Sequence, residues 1–192
     1  MGQYYVHANI DRQELYSPDG IKLMEHSWVG GRSTQRLYEL LRTDWKGDRV
    51  VVVGDYFEAK ENKSIGLDLS KRIYEMDWKE PKIKNPDENA MDVKKWEAEQ
   101  QIGFYVNYDK QEAIDLSNLP TEKPEYAKHW DGLWITSPLT LMVACGNGRG
   151  GGDFYEGSKG YEFVGTWAGD HVGIEDELPE KYKVITPDFK EK

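Results

Sequence analysis

The residues best placed to do chemistry gather in one stretch, ACGNGRGGGDFYEG at 144–157. Five glycines surround Arg149, Asp153 follows them, and the only cysteine, Cys145, precedes them. Successive backbone N–H groups in a glycine-rich turn form a concave nest for an anion, and a guanidinium adds a two-pronged donor. On that reading Gly146, Asn147, Gly148, Arg149, Gly150, Gly151, Gly152 and Asp153 hold a phosphate or a carboxylate. The competing reading is a structural turn or lid, because glycine gives the chain paths that other residues resist. GNGRGGGD lacks the lysine–serine ending of a phosphate-binding P-loop, and its setting is not the strand–turn–helix of a dinucleotide fingerprint. No cofactor is expected.

Other reactive residues are scattered. Cys145 as a nucleophile needs a lowered thiol pKa and a base such as His26 or His171; a small buried residue is the simpler account. Glu25 and His26 are adjacent, so on a strand they point to opposite faces, leaving His26 to find a carboxylate such as Asp48, Asp55 or Asp170. The four histidines show no metal-binding spacing, and no metal site is expected from them. A magnesium site built from Asp55, Asp153 and Asp170 is the remaining metal reading. Trp28, Trp45 and Trp167 read as core anchors.

Composition narrows the function classes. Across 192 residues the formal net charge is −10, which opposes binding to nucleic acid phosphates and favours a basic partner. Aromatic residues make up 12%, enough large rings to build a core. One cysteine permits no internal disulfide, which fits a reducing cytoplasm, and no apolar run is long enough to span a bilayer.

Elements that must position these residues follow from local pattern. Hairpins are expected near 3–17 and 103–117, and IKLMEHSW at 21–28 as a strand. Ser33 is placed to cap a helix, TQRLYELLR, with Leu37, Leu40 and Leu41 on one face. VVVV at 50–53 reads as a central strand covered on both faces. Residues 57–101 form a charged connector with helices over 69–78 and 90–101, and 120–132 a loop. Strands are expected over 161–167, 170–176 and 181–186, then a polar tail, 187–192, that frays.

Three landmarks recur in the same order. YYVHANIDRQELYS matches FYVNYDKQEAIDLS, KLMEHSWVGGRS matches TLMVACGNGRGG, and WKGDRVVVVGD matches WAGDHVGIED. The economical reading is one α+β domain, mainly antiparallel β, with two related hairpin-plus-strand halves (3–56 and 102–178) in an approximate two-fold arrangement and a few short helices. Asp48 and Asp170 then become counterparts, as do Arg32 and Arg149, and the glycine loop takes the first half's helix position.

The wording MGQYY, KLMEHSWVGG, GDY, YVNYDKQEAIDL and GNGRGGGD resembles a group of uncharacterised bacterial and bacteriophage proteins. The resemblance implies an origin and no chemistry. Two functions stay open: a small cytoplasmic binding protein, such as a phage-type regulator or inhibitor, whose partner is a small anion or a basic protein; and a phosphoester or nucleotide hydrolase using carboxylates beside the glycine loop. Convergence of Asp153, Asp170, His26 and Arg149 in one concavity separates them.

Overall fold

Two hairpins frame the sheet in the computed structural model, which describes residues 2–18, 20–28, 32–57, 77–82, 102–119 and 137–189. Strands β1 (Tyr5–Asn9) and β2 (Glu14–Tyr16) form the first hairpin; α1 (Leu23–His26), α2 (Arg32–Arg42) and β3 (Asp48–Gly54) follow. Strands β4 (Phe104–Asn107) and β5 (Glu112–Asp115) form the second, then come α3 (Pro138–Met142), β6 (Ala144–Cys145), β7 (His171–Glu175) and β8 (Lys183–Val184). The fold is α+β. Among the described residues eight strands make one sheet in the order β2-β1-β3-β7-β4-β5-β8, with β6 alongside β3, and of their pairings only β3–β6 and β5–β8 are parallel.

From the β3–β7 pair outward the order is symmetric: late strand, inner hairpin strand, outer hairpin strand. The hydrogen bonds repeat with it. Asn9 Nδ2 and Arg12 Nε donate to Asp48 at 2.9 and 2.5 Å, while Asn107 Nδ2 donates to Asp170 at 2.7 Å beside a Lys110–Asp170 ion pair. Trp45 Nε1 donates to Glu14 at 2.7 Å and Trp167 Nε1 to Glu112 at 3.0 Å. Even the strained residues match: Gln13 (φ 55°) and Gln111 (φ 53°) both adopt left-handed backbone in the turns. The two halves therefore sit in an approximate two-fold arrangement, with Asp48 and Asp170 as counterparts.

Burial of β3 explains its apolar run. Val50 and Val52 enter one hydrophobic cluster with Leu23, Leu37, Leu41, Trp45 and Trp167, and Val51 and Val53 enter a second with Val6, Ala8 and Cys145. Alternating side chains thus face helices on one side and a smaller apolar layer on the other. Helix α2 turns Leu37, Leu40 and Leu41 inward, as its spacing predicts.

Four local expectations need correction. IKLMEHSW holds a helix over 23–26 and no strand, the helix held at its start by Lys22 N–H donating to Glu25 Oε2 at 2.8 Å. Ser33 is no cap: α2 starts at Arg32, and the Ser33 hydroxyl bonds to histidines inside the fold. Residues 161–167 are a 3-10 turn over Tyr161–Phe163 and further turns, because Gly165 (φ 75°) brings its Cα against the Ala144 carbonyl, where a Cβ would lie 2.6 Å away. The tail is anchored through 189, since Phe189 is buried between Phe154 and Phe163 and Lys159 pairs with Asp188. The helices expected over 69–78 and 90–101 and the loop over 120–132 fall outside the described residues, save for 77 and 78.

Candidate functional site

Strand β6 delivers the chain into the glycine loop, and three separate segments hold the loop in place. Gln3 N–H donates to the Gly151 carbonyl at 3.4 Å, Met24 N–H at the start of α1 donates to Gly152 O at 3.1 Å, and Arg149 Nη1 donates to Tyr56 O at 2.9 Å. Asn147 closes the neck, its side chain accepting from Phe154 N and donating to Phe154 O, both at 2.8 Å. Two glycines are required for different reasons. Gly148 has φ 89° in open space, whereas a Cβ on Gly150 would lie 2.4 Å from Gln3 Cβ and 2.6 Å from Gln3 N.

The loop does form an anion nest, and the chain fills it. Asp153 Oδ2 accepts from the amides of Gly148, Arg149 and Gly150 at 2.8, 2.8 and 2.9 Å, and from Gln3 Nε2 at 3.1 Å. Its Oδ1 accepts from the Tyr5 hydroxyl at 2.9 Å. The carboxylate is fully buried. Such burial is tolerable because donors replace the water it has lost. Burial, and after it the Asp153 charge and hydrogen bond, push the Tyr5 hydroxyl far above the usual tyrosine range, so Tyr5 remains a donor.

Gln3 and Tyr5 are the site residues that sequence reasoning missed. Gln3 lies 150 positions from Asp153, with no motif joining the two segments. Only the glycines at 150 and 54, where added Cβ atoms would strike Gln3, register its presence.

Other candidate residues are placed elsewhere. Among the described residues His26 meets no carboxylate: its Nδ1 lies 2.5 Å from Ser33 Oγ and 2.9 Å from His7 Nε2, and its Nε2 lies 3.1 Å from the Tyr5 carbonyl. Asp170, just ahead of β7, bonds to the second hairpin through Asn107 and Lys110. Asp55 accepts from Tyr4 N–H at 3.1 Å, so the three carboxylates of the magnesium reading each have separate partners, and no metal-binding group occurs among the described residues. Arg32 opens an α-helix while Arg149 stands in a glycine turn, so their backbones are not equivalent; the Arg32 side chain lies outside the described residues. Cys145 is buried, and that burial pushes its thiol up to about 12, removing the thiolate that a nucleophile needs. Trp45 and Trp167 are fully buried core anchors, and Trp28 is half-buried.

Asp153 and Arg149 therefore share the loop, His26 stands behind it across Tyr5, and Asp170 lies apart. They line no common concavity among the described residues. No helix there is long and apolar enough to cross a membrane. No family model, curated protein or solved structure matches the chain.

Proposed function

We propose that this is an interaction protein which docks a basic partner protein on the surface around the glycine loop. The observation that carries the proposal is the Asp153 carboxylate inside the nest. With the amides of 148–150 already satisfied, the loop is a rigid display rather than a vacant anion cradle. Its exposed tip carries Arg149. The segments bonded to it carry Tyr4, Tyr56 and Tyr155, exposed by 42, 37 and 56%. Tyrosine and arginine on a preorganised surface are the residues that anchor protein interfaces, since little freedom is lost on docking. Net charge −10 favours a basic partner through steering. The resemblance to bacteriophage proteins suggests a host-directed regulator or inhibitor acting in the cytoplasm.

Affinity capture from bacterial extract tests this, using the native chain beside a Tyr4→Ala/Tyr155→Ala variant of equal melting temperature. A basic protein retained by the native chain and lost by the variant supports the reading, and equal retention overturns it. A thermal-shift panel of inorganic phosphate and nucleotides is the second arm, because a ligand of the folded state raises its melting temperature. No rise is expected. A rise abolished by Arg149→Ala would replace the docking reading with a small-anion site.

A further inference from the structure

Two histidines and a serine meet in the core with no charged partner among the described residues. His7 on β1, His26 on α1 and Ser33 in the first turn of α2 are all buried. Ser33 Oγ lies 2.5 Å from His26 Nδ1 and 3.2 Å from His7 Nε2, and the two ring nitrogens are 2.9 Å apart. Two backbone carbonyls face His26, those of Tyr5 and Ile21, and the first fixes the tautomer. The Tyr5 carbonyl, 3.1 Å from His26 Nε2, can only accept, so Nε2 carries the hydrogen and Nδ1 of the neutral ring accepts. Ser33 then donates to His26 Nδ1, and His7 Nε2–H donates to Ser33. That leaves His7 Nδ1 bare, buried and without a partner.

An added proton has nowhere favourable to go. The groups facing the pair are Tyr5 from β1, Tyr16 from β2, Ser33 and Thr34 from α2, and the Ile21 carbonyl ahead of α1, which with the Tyr5 carbonyl offsets only part of the cost of burial at His26; β3 opposes His7 with Val52. Glu25, beside His26 on α1, is engaged by the Lys22 amide. Among the described residues, no carboxylate contacts either ring.

The cluster also reaches the glycine loop. Tyr5 takes the His26 Nε2–H on its carbonyl and gives its hydroxyl to Asp153, while Met24 on α1 donates to Gly152. Thr34 Oγ1 donates to the His26 carbonyl, tying α2 into the same unit.

We propose that His7, Ser33 and His26 form an acid-operated latch: with both rings neutral it closes α1 and the first turn of α2 onto β1, and proton uptake releases them and loosens the glycine loop that Tyr5 anchors. The latch does not rest on the docking reading. Burial holds His26 down at about 4 and, with the neighbouring His26, holds His7 well below its ordinary value of 6.5. The closed state therefore binds fewer protons than the open one, and closure weakens as pH falls from about 6.5 toward 4.

Amide hydrogen exchange across that window, with NMR titration of both rings, tests the latch. The amides of Ser27, Gly148, Arg149 and Gly150 should lose protection by about tenfold per pH unit for one histidine, and about a hundredfold if both protonate on opening. The amides of Val50–Val53 should keep theirs over the same range. In His7→Gln/His26→Gln, which retains a donor for Tyr5 and an acceptor for Ser33 without titrating, loop protection should not depend on pH. An unchanged slope in that variant overturns the latch, as does pH-independent protection in the native chain. Should the variant not fold, the native titration decides: either ring titrating near 6.5 while the loop stays protected refutes it.

Discussion

Arg49 and His171 face each other across the β3–β7 ladder, and each is the other's counterpart in the two halves. The approximate two-fold axis passes between them. Gly47 N–H donates to the Val172 carbonyl at 2.9 Å and Gly169 N–H to the Val50 carbonyl at 3.3 Å, one bond being the image of the other. Each residue also meets the equivalent turn aspartate: Arg49 Nη2 lies 2.6 Å from Asp11 Oδ1, and His171 Nδ1 3.0 Å from Asp109 Oδ1. Burial opposes ionisation of Asp11, but its bonds to Arg49 win and hold the carboxyl below its usual range. What differs between the halves is the insertion before the last strand, a helix in one and the glycine loop in the other.

Equivalent positions should respond equally. Asp48→Ala and Asp170→Ala should each cost about 1–2 kcal/mol, the worth of hydrogen bonds to a partly exposed charged group. Because they share no partner, the double variant should show the sum within about 0.5 kcal/mol. Urea denaturation of the three variants checks this.

Removing the carboxylate in the nest should be far more costly. Asp153→Ala leaves three amides and the Tyr5 hydroxyl without their acceptor and removes one of the acceptors of Gln3, a loss on the order of 3 kcal/mol or more. Arg149→Ala, which gives up a bond to the Tyr56 carbonyl at the surface, should cost about 1 kcal/mol or less. Equilibrium unfolding that ranks the two the other way would contradict a loop held by Asp153.

The glycines should not be interchangeable. Gly148→Ala meets no atom within 4 Å and bears only its left-handed backbone, about 1–2 kcal/mol. Gly150→Ala drives a methyl into the Gln3 backbone and should lower the melting temperature further, since moving Gln3 also disturbs Asp153. Thermal melts of the two variants measure the difference.

Cys145 should resist alkylation in the folded protein. Its thiol is raised from an ordinary 9.0 to about 12, so at pH 8 the folded chain presents almost no thiolate. The sign for stability follows: only above about pH 9 does the unfolded chain ionise first, and folding weakens from there toward 12. Iodoacetamide labelling with and without urea reads the thiol directly, and rapid labelling of the native chain would contradict its burial.

Short-range chemistry was legible in the sequence and long-range pairing was not. The apolar run at 50–53, the two hairpins, the leucine face of α2 and the matched WKGD and WAGD segments are visible because alternation, helical period and turn residues are local properties. The same local reasoning misread 21–28 as a strand, since so short an apolar segment fits either period and the fold sets His26 of the helix against Tyr5 and His7 of β1. The glycine run showed that the chain turns sharply there. That its nest is filled by Asp153, under Gln3 and Tyr5 from the other end of the chain, depended on which segments the sheet brings together. His26 likewise shows no sign in the sequence of its partners His7 and Ser33. A buried polar group is satisfied by whatever the fold places within 3 Å or so, and that is settled only when the whole core closes.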